Sequence, residues 1–176
     1  MIEIDQLSVK NVKLSDIDLK DHRYKFFDTQ SDTDHLARSI KSIGLLNPVL
    51  LRPVDSTYIV LSGFNRAYAH IKTNSKKISA VILDDNISEL DGIKIAVTCV
   101  SFYRKLQQHE MIRCLTALSD HLNPQEISDC SVQIFNMPLN KRYISDMVAV
   151  GRLSESFGRL IRQGQLSIKA AKIIAR

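Results

Sequence analysis

Apolar residues recur along the chain in two different rhythms. In roughly the first half they form short runs broken by turn residues, with occasional helical spacing; in the second half nearly all of them recur every three or four positions. Residues 34–44 set Leu36, Ile40 and Ile43 on one helical face, with Thr33 or Asp34 near the N-cap and Gly44 as the stop. Asn47-Pro48 then opens a strand over 49–52, residues 53–57 make a turn, and a second strand runs over 58–61. It ends at Ser62-Gly63, where a helix restarts over 64–69, and a further strand follows over 78–83. Short strands mixed with helices predict an α/β (α+β) fold for this part.

After Leu83 the chain changes character. Residues 84–88 form a polar loop, which places a boundary between an N-terminal domain, 1–85, and an all-helical domain, 86–176. Helices are predicted over 89–102 and 107–122, the second with Met111, Leu115, Leu118 and Leu122 on one buried face. Asn123 followed by Pro124 is a helix start, and the helix it opens turns Ile127, Cys130 or Ser131, and Ile134 inward. Asn136-Met137-Pro138 breaks it, and a new helix runs from Leu139-Asn140 to Val150, polar and basic at its start and apolar at Ile144, Met147 and Val148. Two short helices joined by a tight turn have the layout of a helix-turn-helix, whose recognition helix would present Asn140, Lys141, Arg142, Tyr143 and Ser145 or Asp146 to the major groove. A plain helical bundle is the other reading of this pattern.

Charge sharpens that choice. The net charge is +5, and residues 141–176 alone carry eight cations against Asp146 and Glu155, so the basic surface is local and C-terminal. Lys141, Arg142, Lys169 and Lys172 are therefore candidates to neutralise phosphates, with Asn140, Tyr143 and Ser145 facing base edges; the competing reading is a solvated helical face. Composition, 44% hydrophobic and 24% charged, is that of a soluble globular protein. No apolar stretch has the length of a membrane span, and the acidic, polar start over residues 1–6 lacks a signal peptide's layout, so a cytoplasmic protein without a membrane partner is expected. Cys99, Cys114 and Cys130 are odd in number and lack a C-x-x-C pair, which predicts reduced core thiols rather than disulfides or zinc. His22, His35, His70, His109 and His121 show no ligand spacing, so no metal site is assigned.

The corner at residues 62–66 carries the other candidate chemistry. Free N–H groups of a first helical turn and the positive end of its dipole favour an anion, and Gly63 permits close backbone approach. Ser62, Gly63 and Asn65 would line a phosphate there while Arg66 grips it with its fork of donors; the other reading is a strand-turn-helix corner that uses Gly63 only for its backbone freedom and Arg66 only as a solvated charge.

The order helix, Gly-Leu-x-x-Pro, strand, turn, strand, Gly-x-x-Arg, helix resembles the N-terminal domain of the ParB/sulfiredoxin-like superfamily, from about Ile17 to Leu83. Residues 151–157, 160–167 and 168–171 look like the ParB segment that follows its helix-turn-helix, with a Gly-x-Leu-Ser corner at 164–167, so the likeness is collinear over nearly the whole chain. It implies a ParB/sulfiredoxin-like N-terminal domain before a ParB-type DNA-binding domain. The protein would bind double-stranded DNA sequence-specifically in plasmid or chromosome partition or in transcription regulation, as a homodimer, with a partition ATPase as a further partner. It also implies CTP with magnesium as the cofactor to consider, and aligns Arg23 with an arginine of the family's first motif. Family members usually carry G-E-R-R-x-R-A where this chain has Gly63, Phe64, Asn65, Arg66, Ala67, Tyr68 and Ala69. A later E-N-x-x-R box falls on Cys99, Val100, Ser101, Phe102 and Tyr103, with Arg104 one place along. These departures imply weak, altered or absent nucleotide binding and negligible CTP turnover. Sulfiredoxin chemistry needs a cysteine where Phe64 stands. The alternative is a nucleotide-dependent kinase or nuclease that uses the Gly63 to Arg66 turn with acids from Asp55, Asp84 or Asp85. Full-length partition proteins usually add a C-terminal dimerisation domain, so the resemblance implies that the chain is a fragment or dimerises otherwise.

Overall fold

The computed structural model describes residues 8–28 and 33–175; the expectations that fall on residues 1–6 and on Arg176 lie outside them. The chain divides into two compact units, Met1–Gly92 and Ile93–Arg176. The division falls inside a helix, α3 (Glu89–Ser101), whereas the change in periodicity put it at residue 85. A helix continues its hydrogen bonds through such a point, so composition does not mark it.

The N-terminal unit is a five-stranded mixed sheet of β1 (Val9–Lys13), β2 (Ile17–Asp18), β3 (Val49–Val54), β4 (Thr57–Ser62) and β5 (Lys77–Ile82), in the order β1-β5-β3-β4-β2. β5 pairs parallel with β3, and β2 with β4; the other two pairings are antiparallel. Periodicity did not reveal β1, because only Val12 of its five residues is buried and its two lysines mark an exposed edge. In β4 the consecutive residues Ile59, Val60 and Leu61 are all buried, so both faces of the sheet are covered at its centre.

Two helices lie with this sheet, α1 (Thr33–Ile43) and α2 (Phe64–Lys72). Phe64 and Ala67 of α2 join Val49, Leu51, Val60 and Ile78 in one core cluster, and Ala69 meets Ala37 and Ile40 of α1 in another. Ile43, expected inward, is 61% exposed. The buried face of α1 is the one through Leu36, Ala37 and Ile40, which at 100° per residue continues to Gly44 and leaves Ile43 to one side. Thr33 and Asp34 stand within the first turn of α1, where Lys72 Nζ reaches both at 2.7 Å.

The second unit contains α4 (Gln108–Ser119), α5 (Pro124–Asp129), α6 (Ser131–Phe135), α7 (Lys141–Gly151), α8 (Glu155–Arg162) and α9 (Ile168–Ile174), besides the greater part of α3. α4 packs on α7, with Cys114, Leu115, Leu118 and Ile144 fully buried. The two helices approach closely at Gly151, where an added Cβ would drive into the Thr116 hydroxyl. The helix expected from Pro124 to Ile134 is two helices, interrupted at Cys130 (φ −98°, ψ 6°). Ile127, Ser131 and Ile134 are nevertheless buried together, because their spacing survives the irregularity. Asn123 caps α5 as its sequence predicts: its Oδ1 accepts from the N–H groups of Gln125 and Glu126, and Glu126 accepts from Asn123 N–H at 2.7 Å. Among the described residues no helix is long and apolar enough to cross a membrane.

Candidate functional site

β4 delivers the chain to Gly63, which caps α2 in the left-handed region (φ 103°, ψ 25°). A Cβ at this position would lie 2.9 Å from Val49 Cγ1 and 3.0 Å from Arg66 Nη2, so the glycine is required by backbone conformation and by space. Arg66 does not reach outward. Its Nη1 donates to the carbonyls of Asn47 (2.8 Å) and Pro48 (2.6 Å), stapling the entry of β3 to the first turn of α2. An anion in this corner would compete with two backbone acceptors for the guanidinium. Ser62 and Asn65 are half-buried beside it.

Residues that sequence reasoning passed over cover the outer side of α2. His22 Nε2 lies 3.2 Å from the Tyr68 hydroxyl, which donates to Leu19 C=O at 3.3 Å. Lys25 Nζ sits 4.9 Å from the Tyr68 ring centroid and 5.8 Å from that of Phe64. The available signal was the aromatic pair Phe64 and Tyr68 at i, i+4, which places both rings on one face. Arg23, the candidate from this segment, is tied to Asp21 by contacts of 2.8–3.1 Å. Burial acts to raise the Asp21 carboxyl, but the hydrogen bonds and charge of Arg23, with the charge of His22, outweigh it and hold the pKa below the ordinary value. Tyr24, beside Arg23, is buried and accepts from Arg52 Nη1 at 2.6 Å; burial pushes its phenol up against the pull of that cation.

The acids that an enzyme reading would use serve turns. Asp55 takes φ 50° between β3 and β4. Asp84 accepts from the backbone and side-chain N–H groups of Asn86, both at 3.0 Å, and its pKa is lowered by such bonds. Among the described residues no group of three His, Cys, Asp or Glu side chains could hold a metal ion. A triphosphate with magnesium needs several uncommitted cations or carboxylates. The corner, with Arg66 turned onto carbonyls and two aromatic rings beside it, does not fit one.

In the second unit, the loop before α7 is fastened from two sides. Ser131 Oγ accepts from Leu139 N–H at 3.0 Å, Ser128 Oγ donates to Leu139 C=O at 2.7 Å, and Leu139 itself is buried. Asn136 supplies the left-handed turn (φ 54°) at the end of α6. Asn140 then caps α7, its Oδ1 accepting from Tyr143 N–H at 2.8 Å. Ile144, Met147 and Val150 are buried, while Lys141, Arg142 and Ser145 are exposed on the opposite face. Tyr143 is half-buried with its hydroxyl pKa raised by that burial. Lys169 is exposed, and Lys172 pairs with Asp146.

The ParB N-terminal domain family model matches residues 2–98 of this chain. The chain belongs to the ParB family. The probable chromosome-partitioning protein ParB of Campylobacter jejuni is 24% identical over 172 residues, covering 92% of this chain and 57% of that protein. The chain thus spans little more than half the length of this curated relative. Among solved structures, the C-terminally truncated chromosome-partitioning protein ParB of Caulobacter crescentus, complexed to the centromeric parS site, is similar at 15% identity and a TM-score of 0.55, covering 94% of this chain and 84% of that one. A pNOB8-like ParB N-domain is similar at 13% identity and a TM-score of 0.57, covering 96% and 79%. At such identities the likeness is one of fold, and the mixed sheet with its helices is the ParB N-domain fold.

Within this ParB-family chain, Ser62, Gly63, Asn65 and Arg66 share one corner, while Arg23 makes its ion pair with Asp21 in the preceding loop. Arg104, which falls next to the family's second box, is bound bidentately to Glu110 in the second unit, at 2.7 and 2.8 Å. Near that pair, burial and the charge of Glu110 push the Cys114 thiol well up. Iodoacetamide is expected to alkylate Cys114 only after unfolding; rapid labelling of the native protein, read by peptide mass, would contradict its complete burial.

Proposed function

We propose that this protein is a sequence-specific binder of double-stranded DNA acting in partition, with α5, α6 and α7 as its helix-turn-helix and α7 in the major groove. The observation that carries the reading is the start of α7: Lys141, Arg142 and Ser145 are exposed on one face of a helix whose other face is core, behind a turn pinned through Ser128, Ser131 and Leu139. Basic and polar side chains at the first turns of such a helix are placed to meet phosphates and base edges. Lys169, exposed on α9, adds a further cation to this unit. Asn140 acts chiefly as the helix cap. The parS complex of the Caulobacter crescentus relative supports the same partner class here. A homodimer would suit a two-fold DNA site, and a partition ATPase belongs to the reading through the family alone.

The N-terminal unit in this reading works without CTP turnover. Arg66 secures the β3 entry rather than a triphosphate, and the positions of Phe64 and Tyr68 carry rings instead of charges. The test is retention of duplexes from a randomised library by the purified chain, with and without CTP and magnesium, with phosphate release measured in parallel. Enrichment of one sequence class with unchanged affinity on adding CTP is expected. Arg66→Ala should lower thermal stability, since it removes charged hydrogen bonds worth about 1.5–3 kcal/mol each. No enrichment would refute the DNA reading; brisk phosphate release that Arg66→Ala abolishes would refute the view of the corner.

A further inference from the structure

Lys172 counted among the phosphate-neutralising cations in the sequence, yet its side chain lies against α7. Its Nζ is 3.1 Å from Asp146 Oδ2, with the two side chains only 29% and 28% exposed. The same Nζ is 5.9 Å from the centroid of the Tyr143 ring. Tyr143 and Asp146 are three residues apart on α7, so one cation reaches both. α9 meets α7 at this point: Ala171, beside Lys172, is fully buried, and Ser167 caps α9 by accepting from Ala170 N–H at 3.2 Å. At 100° per residue, Asp146 lies between the buried ridge of Ile144, Met147 and Val150 and the exposed face of Lys141, Arg142 and Ser145.

We infer that Lys172 is a positioning residue for DNA reading: it cancels the charge of Asp146 at the margin of the α7 reading face and locks α9 against α7, and it takes no phosphate itself. This rests on the proposed DNA-binding role of α7. A bare carboxylate at that margin would repel the DNA backbone, and the pair, less than a third exposed, offsets its charge without occupying the outward face. Because the cation is held by both Asp146 and Tyr143, the roll of α7 is coupled to the docking of α9. That roll decides which base edges Ser145 and Arg142 meet.

The test compares the wild-type chain with Lys172→Met, which keeps an unbranched stem against Tyr143, and with the exchange Asp146→Lys/Lys172→Asp. The probes are the duplex that the wild-type chain enriches most from a randomised library and a scrambled duplex of the same composition, each titrated with salt. Circular dichroism confirms that the variants are folded. Lys172→Met is expected to bind the enriched duplex roughly three- to tenfold more weakly and to discriminate less against the scrambled one. Its salt slope should change by well under about one, because the uncovered carboxylate adds only a screened repulsion and no phosphate contact is lost, and the exchange should restore most of the discrimination. A slope lower by about one with discrimination intact would make Lys172 a direct phosphate contact and overturn this inference alone. Affinity, slope and discrimination all unchanged would also overturn it. A wild-type chain that retains no duplex overturns the DNA reading itself.

Discussion

Lys141→Ala with Arg142→Ala is expected to weaken binding to the enriched duplex by roughly one to two orders of magnitude. The log-log salt slope should fall by about two in magnitude, close to 0.9 for each phosphate contact removed. Both side chains are exposed in the first turn of α7. Neither supports the fold: Asn140 still caps the helix, and Ile144, Met147 and Val150 still anchor it. Cations at a helix N-terminus oppose the helix dipole, so removing them leaves stability unchanged or slightly raised. Lost affinity therefore cannot be traced to unfolding. Filter binding across a salt series measures both quantities, and a folded double variant with unaltered affinity and slope would remove α7 from the interface.

The largest stability effect is expected at Arg104→Met. Glu110 is fully buried, and its carboxylate takes both prongs of Arg104 at 2.7 and 2.8 Å and the N–H of Gln107 at 2.9 Å. The methionine keeps the bulk of the stem but takes both charged hydrogen bonds from the buried carboxylate in the first turn of α4, at a cost of up to about 3–5 kcal/mol, the range for breaking a buried pair from one side, Arg104 itself being 34% exposed. Against total stabilities of about 5–15 kcal/mol for ordinary domains, such a loss is a large share of what keeps the second unit folded. Urea melts of the wild-type chain and the variant test this; a loss below about 1 kcal/mol would show the pair to be worth no more than a surface salt bridge.

Much of the architecture was legible because local rules agreed with the fold. Gly44 and Gly63 do stop and start helices through positive φ (82° and 103°). Asn123-Pro124-Gln125-Glu126 is a capping box, and the apolar spacing of residues 111–118 and 144–150 marks buried faces. Where neighbours outweighed spacing, the sequence misled. β1 is a strand because β5 pairs with it, and Ile43 is exposed because α1 turns an adjacent face inward. The break at Cys130 leaves no trace in a pattern that keeps its period.

The candidate sites divide in the same way. Sequence by itself determined which residues could carry chemistry: a Gly-x-x-Arg corner at 63–66, and a helix starting with Lys141 and Arg142 ahead of an apolar ridge. A residue's type and spacing set its propensity and its charge, which are local properties. Only the tertiary structure decided what those side chains hold. Arg66 meets two carbonyls from a segment about twenty residues earlier, Arg104 meets Glu110, and Lys172 meets Asp146 across two helices. A long flexible cation reaches any acceptor within several ångströms of its Cα, so its partner is set by which elements the fold brings alongside, and that information is not local to the chain.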